Sequence, residues 1–137
     1  MFVAISIRAV GQIDSIYQIN KAFGKPKFTY NDAIPYISKN LKYPAKAILD
    51  KVQGKIFVSF MVNEDGHISD VTIKKCIQFV YDPVLNKTAE TEVEKIGDGL
   101  DEEAIRVIRS MPPWKPAKQN GIPIKVFFTL PIVFKLS

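Results

Sequence analysis

The chain has 137 residues, 47% of them hydrophobic, enough for one packed core but not for two. No stretch approaches the roughly 18 consecutive apolar residues of a membrane helix, so no membrane span is expected. The net charge of +5 is unevenly spread: residues 1–60 carry nine basic and three acidic groups, residues 61–104 four and eleven, and residues 105–137 six and none. A nucleic-acid binder more often shows a continuous basic stripe interleaved with aromatics, and the acidic middle argues against one. Cys76 is the single cysteine, so no internal disulfide forms.

Residues 1–28 read as an N-terminal segment ahead of a domain at 29–137. The apolar run Phe2 to Ile7 and the small residues Ala9-Val10-Gly11 look like the end of a secretory signal. No basic region precedes them, however, and Arg8 interrupts them. A start placed too late, a trimmed chain and a frayed N-terminal strand stay open beside a signal remnant. An N-terminal helical extension is expected over this segment.

From Thr29 to Leu41, Ala33, Ile34, Ile37 and Leu41 recur at helical spacing, with Asn31 or Asp32 as N-cap and Pro35 in the first turn. Tyr43-Pro44 breaks this helix. Ala45, Ile48 and Val52 mark the buried side of a second, and Gly54 is expected to end it. Ile56, Val58, Phe60 and Val62 then alternate as a strand. Asn63-Glu64-Asp65-Gly66 is a turn in which Gly66 takes positive φ, and Val71, Ile73 and Ile77 return as the second strand.

Residues 78–99 are polar, acidic and irregular, and read as a long loop with a helical turn near Thr91 to Ile96. It is either a solvated insertion or a gate at the sheet edge. Asp101-Glu102-Glu103 open a helix whose positive N-terminal end favours acids, and Pro112-Pro113 stop it. The clearest signal follows: Ile122, Ile124, Val126, Phe128, Leu130, Ile132, Phe134 and Leu136 are apolar at eight successive even positions. A strand that long far exceeds the usual five or six residues.

The expected fold class is therefore α+β, in the order α-β-β-α-β. Two helices pack on one face of a three-stranded antiparallel sheet of order 2-1-3. The third strand is then an edge, in keeping with Pro123 and Pro131, because proline inside a sheet is confined largely to edges, ends and bulges.

Several pieces match a known pattern in order. They are Tyr43-Pro44-Ala45 with Ala47, Gln53-Gly54-Lys55-Ile56-Phe57-Val58-Ser59-Phe60, and Asp65-Gly66-His67-Ile68-Ser69-Asp70-Val71. Next come Leu100-Asp101-Glu102-Glu103-Ala104 and Ser110-Met111-Pro112-Pro113-Trp114-Lys115-Pro116-Ala117. Last are Gln119-Asn120-Gly121-Ile122-Pro123 and Leu130-Pro131-Ile132-Val133-Phe134. This set, over about residues 29–136, resembles the C-terminal domain of the TonB energy-transducer family.

The resemblance implies a periplasmic domain of a Gram-negative cell. Such a domain grips the TonB box, a short extended segment of an outer-membrane TonB-dependent transporter, by strand addition to its final strand. That grip supports energy-dependent uptake of siderophores, cobalamin or glycans. The alternative is a soluble accessory or sensor-associated module of the same fold without energy transduction. As written, the chain carries no membrane anchor and no proline-rich spacer, so binding is expected of it and force transmission by it alone is not. Ala117 stands where the family usually has glycine.

An edge strand offers unpaired N–H and C=O groups that a peptide alongside satisfies. Lys125, Val126, Phe127, Phe128 and Thr129 are the expected docking stretch. The plainer reading is that the strand completes the core or pairs with its own copy, which leaves a homodimer open. Asn40, Lys42, Tyr43 and Pro44, at the break between the first two helices, are implied by the family to approach the peptide, against a plain turn. Trp114 reads as a core anchor, and Gly54 and Gly66 as structural glycines. One histidine and one cysteine at unrelated positions make no metal site. Ser59, Ser69 and Ser110 lack a histidine partner, and Glu102 and Glu103 are better explained by the helix start than by acid–base work. No enzyme activity and no cofactor are expected.

Overall fold

A computed structural model describes residues 27–136 in full and the backbone of residues 6–9. The elements in chain order are β1 (Ser6–Ala9), α1 (Tyr30–Asn40), α2 (Ala45–Leu49), β2 (Gln53–Val62), β3 (Ile68–Asp82), β4 (Lys87–Val93), α3 (Leu100–Arg109), β5 (Ala117–Gln119) and β6 (Ile122–Phe134).

The fold is α+β, with helices on one face of an antiparallel sheet. The even positions of β2 and β6 supply the floor of the core: Ile56, Val58, Phe60, Leu130, Ile132 and Phe134 are each 0% exposed. Ala33 and Ile37 of α1, Ala47 of α2, and Leu100, Ala104, Val107 and Ile108 of α3 close over them. Alternation along the strands and 3.6-residue spacing along the helices put these side chains into one layer. Trp114 fills the space between, in edge contact with Phe28 and Phe60 and tilted against Phe128, with ring centroids 5.0–5.7 Å apart.

The sheet is larger than the expected three strands. Its order is β1-β6-β2-β3-β4, with β5 also paired to β6. The expected order 2-1-3 survives as its centre, β3-β2-β6. The additions come from segments without an alternating apolar pattern. Residues 78–99 are a hairpin rather than an irregular loop: β3 runs on to Asp82 and β4 pairs back from Asp82↔Lys87 to Cys76↔Val93, with no helical turn near Thr91 to Ile96. Asp82 Oδ1 accepts the N–H groups of Val84 and Leu85, and Asn86 turns at φ 50°, which closes the hairpin. The hairpin lies on the edge opposite β6, so it does not gate that strand.

At the other edge, Ser6–Ala9 pairs antiparallel with Ile124–Phe127. Of the N-terminal segment, Ser6–Ala9 is thus strand, and Phe28 makes an isolated bridge to Trp114. The expected helical extension and the signal remnant otherwise lie outside the described residues.

Three local expectations change. The N-cap of α1 is Thr29, not Asn31 or Asp32. Asp32 sits three residues on, and its carboxylate accepts the Thr29 N–H at 2.8 Å and the Thr29 hydroxyl at 3.0 Å. Pro35 accordingly lies inside the helix. Gly54 does not end α2; the chain turns at Lys51, φ 56°, and Gly54 already belongs to β2. Its need is steric: a Cβ there would stand 2.5 Å from the Ile77 carbonyl oxygen and 2.5 Å from Ile96 Cδ1. Gly66 turns at φ 89°, and its carbonyl accepts the backbone N–H of Trp114 at 2.8 Å, tying the hairpin turn to the core tryptophan.

Candidate functional site

Strand β6 has two sides. β2 pairs with Val126–Phe134 on one. At Ile124 the strand has two further partners, Ala9 and Ala117, which must lie on opposite sides. β1 lies across β6 from β2, so β5 continues on the β2 side where β2 stops. The outer side is therefore covered by β1 over Ile124–Phe127. Among the described residues it is unpaired over Phe128–Phe134. Alternate residues of an unpaired strand aim N–H and C=O groups outward.

Two tyrosines bracket this open stretch on the helix face. The Tyr30 ring stacks on Phe128, centroids 6.4 Å apart at 13°, and the Tyr43 ring meets Phe134 edge-on at 5.5 Å. Six residue steps separate the two ends, about 20 Å of strand. In the wheel of α1, Tyr36 and Asn40 turn toward α3, where the Tyr36 hydroxyl donates to the Ser110 carbonyl at 2.7 Å and the Asn40 carbonyl accepts Arg106 at 2.9 Å. Tyr30 and Ile34 share the other flank of α1, where the Tyr30 ring lies against Phe128 of β6. On the far face Thr129 and Pro131 are half-buried and Val133 is 47% exposed.

The expected docking residues divide between the two parts of the strand. Lys125, Val126 and Phe127 lie under β1, whereas Phe128 and Thr129 lie in the open stretch. Lys125 Nζ stands 3.9 Å from Glu64 Oε1, at the β2–β3 turn. Asn40, Lys42, Tyr43 and Pro44 do not join this group; they sit at the Phe134 end. There Asn40 Nδ2 donates to the Tyr36 carbonyl at 2.8 Å, and the Tyr43 hydroxyl donates to the Val52 carbonyl. Pro44 packs toward Gly99, whose added Cβ would lie 3.3 Å from the proline ring. Burial pushes the Tyr43 hydroxyl above its usual pKa.

What holds the break in place is Glu103. One carboxylate oxygen accepts the Lys42 N–H at 2.6 Å, and Arg106 grips the same carboxylate at 2.8 Å while its guanidinium also reaches the Asn40 carbonyl. Burial alone would raise the Glu103 pKa, but the Arg106 and Lys42 hydrogen bonds outweigh it and hold the carboxyl below its ordinary value. Arg106 is raised in turn, chiefly by its bond to Glu103. Sequence reasoning assigned Glu103 to the helix start and overlooked Tyr30. The available signals were a glutamate on the apolar side of its helix and an aromatic in phase with Ile34 and Ile37.

No group of three or more His, Cys, Asp or Glu side chains able to hold a metal occurs among the described residues. His67 Nδ1 lies 3.1 Å from Asp65 in an exposed turn. Cys76 is buried, with its thiol 3.5 Å from Asp101.

The fold and this edge define a small α+β domain in which part of one strand, flanked by a helix and two tyrosines, has no partner on its outer side among the described residues. Its sequence matches the model of the Gram-negative bacterial TonB protein C-terminal over residues 39–96 and 87–136. The chain belongs to the TonB C-terminal domain family. It is also similar to the NMR solution structure of the Helicobacter pylori TonB C-terminal domain, at 20% identity and a TM-score of 0.48, over 94% of this chain and 98% of that one. No curated protein sequence matches it.

Proposed function

We propose that this domain binds the TonB box of outer-membrane TonB-dependent transporters in the periplasm by strand addition to the outer side of β6, and so supports energy-dependent uptake. One observation carries the reading: the backbone of Phe128–Phe134 is unpaired on the side away from β2 among the described residues. The opposite edge, β4, fits less well. It is exposed from Lys87 to Glu92 and carries Glu90 and Glu92, and charges along an edge are a common guard against unwanted pairing.

The docking stretch is then Phe128–Phe134 rather than Lys125–Thr129, with Asn40–Pro44 flanking its far end. Three or four residues of this stretch aim backbone groups outward, each worth about 1 kcal/mol net when paired. Pro131 lacks an N–H. Main-chain pairing alone therefore supports only weak binding against the cost of ordering a peptide, and selectivity must come from alternate side chains.

The domain acts as a binding module without catalysis. The test is an NMR titration with synthetic TonB-box segments. Amide shifts concentrated on Phe128–Phe134 are expected. No shift there at millimolar peptide sinks the proposal.

A further inference from the structure

The β3–β4 hairpin outruns the sheet that carries it. Gln53↔Phe79 is the last β2–β3 pair, so Val80–Asp82 and Lys87–Ala89 form a two-stranded ribbon with no third strand among the described residues. Four of the eight exposed large hydrophobic side chains of the described residues lie on this ribbon and its turn: Val84 is 89% exposed, Leu85 65%, Tyr81 59% and Val80 46%. Apolar residues scattered singly over a surface are ordinary, whereas a cluster at a projecting tip marks a contact surface.

The polar groups of the tip are satisfied from within. The Asp82 carboxylate accepts the Val84 and Leu85 N–H groups at 2.9 and 3.3 Å, and the Tyr81 hydroxyl donates to Asn86 Oδ1 at 2.6 Å. These donors lose less on leaving water than free ones would. Residues 80–89 hold one acid, Asp82, and one base, Lys87, a net charge of zero. Tyr81 and Lys87 flank the turn just behind its apex. Lys87 is exposed, with no carboxylate within ion-pair distance among the described residues.

We propose that this tip dips into the surface of a phospholipid bilayer. Val84 and Leu85 enter the acyl boundary, the Tyr81 ring lies at headgroup depth, and the Lys87 ammonium reaches a lipid phosphate. Aliphatic groups at the apex, then a phenol and an amine, follow the order of chemistry across the interface itself. A second copy of the chain fits less well. The tip offers four apolar residues on a projecting ribbon, whereas a stable dimer needs about 20–30 residues from each side. Glu90 and Glu92 lie farther back on β4 and repel anionic lipid, so the contact is hydrophobic, indifferent to salt and weaker than a single fatty acyl anchor. The hairpin lies on the sheet edge opposite β6, so this contact leaves Phe128–Phe134 accessible.

The test is amide NMR of the intact chain with phosphatidylcholine vesicles at about 10 mM lipid, carrying a trace of chain-spin-labelled lipid. Paramagnetic broadening is expected to be strongest at Val84 and Leu85 and little changed between low and high salt. Val84→Ser/Leu85→Ser alters only exposed side chains and should weaken binding about tenfold, whereas Leu85→Trp should strengthen it severalfold. Three results overturn the proposal: no broadening at the tip in the wild type, broadening that the double serine variant retains, or binding that needs phosphatidylglycerol and vanishes in salt. A lipid-free dimer in sedimentation that the double serine variant loses also overturns it, since a second copy would then cover the tip.

Discussion

The Glu103 carboxylate accepts the backbone N–H of Lys42 at 2.6 Å, so a helix near the end of the chain fixes the break between two helices near its beginning. Arg106 completes the clamp by holding the same carboxylate and the Asn40 carbonyl. The Glu103 side chain is 9% exposed whereas that of Arg106 is 44% exposed, so truncation strands chiefly the Lys42 N–H, while the guanidinium keeps solvent and the Asn40 carbonyl. Glu103→Ala is expected to lose about 1–2 kcal/mol of stability in urea unfolding. Glu102→Ala, which removes an exposed carboxylate bound to Lys95, is expected to be nearly neutral. Because the folded Glu103 carboxyl titrates below its ordinary value of 4.5, the unfolded chain takes up the proton first on acidification. The Glu103 contribution is present above about pH 4.5 and is lost as the pH falls through the lower folded value. Acid titrations of wild type and Glu103→Ala should converge there, and parallel curves would mean that Glu103 carries no linked charge.

Gly54 sits where β2 and β3 approach with no room for a side chain. Gly54→Ala must displace the Ile77 carbonyl, which is backbone, as well as the Ile96 side chain. A loss of about 2–3 kcal/mol is expected, with faster amide exchange across Gly54↔Gln78. Gly121→Ala provides the contrast. Nothing lies within 4 Å of its added Cβ, and only the positive φ of 79° opposes the change, at about 1 kcal/mol. A loss at Gly54 no larger than that at Gly121 would show that Ile77 and Ile96 give way to the added methyl, since Gly54 has no positive φ to oppose the change.

Periodicity made the central architecture legible, because each of its elements buries one side. The even positions of β2 and β6 and the face of α3 from Leu100 to Ile108 are apolar for that reason. β4 was illegible for the converse reason: Lys87–Glu92 is exposed on both faces, so no alternation marks it. The described part of β1 is four residues, Ser6–Ala9, and is set by its pairing with Ile124–Phe127. The site shows the same division. The long apolar strand announced an edge, but the pairing of Ser6–Ala9 over part of that edge is encoded by no local pattern in the strand itself. The clamp of Glu103 on Lys42 spans 61 residues and leaves no local trace beyond a carboxylate on an apolar helix face.

Cys76 should behave as an inert core residue. Burial first, and then the Asp101 carboxylate, push its thiol up to about 11. At pH 8 roughly one thiol in a thousand is then ionised, and it is enclosed as well. Labelling by a disulfide reagent at pH 8 is expected to be negligible in the folded protein and rapid in denaturant. The shift also fixes a sign at high pH. The unfolded thiol ionises near 9.0 and the folded one near 11, so its contribution is complete below pH 9 and falls away as the pH rises between the two values. Fast labelling without denaturant would mean that the β3–α3 packing opens readily.

β1 already performs on Ile124–Phe127 the kind of pairing proposed for a transporter segment on the rest of the strand. A partner strand extending past Phe128 toward Ile124 must displace Ser6–Ala9, so the two compete for the same backbone groups. Adjacent strand residues aim their N–H groups to opposite sides. The double variant Ile7→Pro/Arg8→Pro therefore removes one donor facing β6 whichever residue supplies it. Amide exchange at Ile124–Phe127 is expected to accelerate in this variant, while the amides of β2 and β3 keep their protection. A peptide long enough to cover Ile124–Phe134 should then bind about three- to tenfold more tightly than to wild type, since roughly 1 kcal/mol of self-pairing no longer opposes it. A peptide confined to Phe128–Phe134 should bind both proteins alike. Equal affinity of the long peptide for both proteins would mean that β1 and the partner do not share the edge, and that docking stays within Phe128–Phe134.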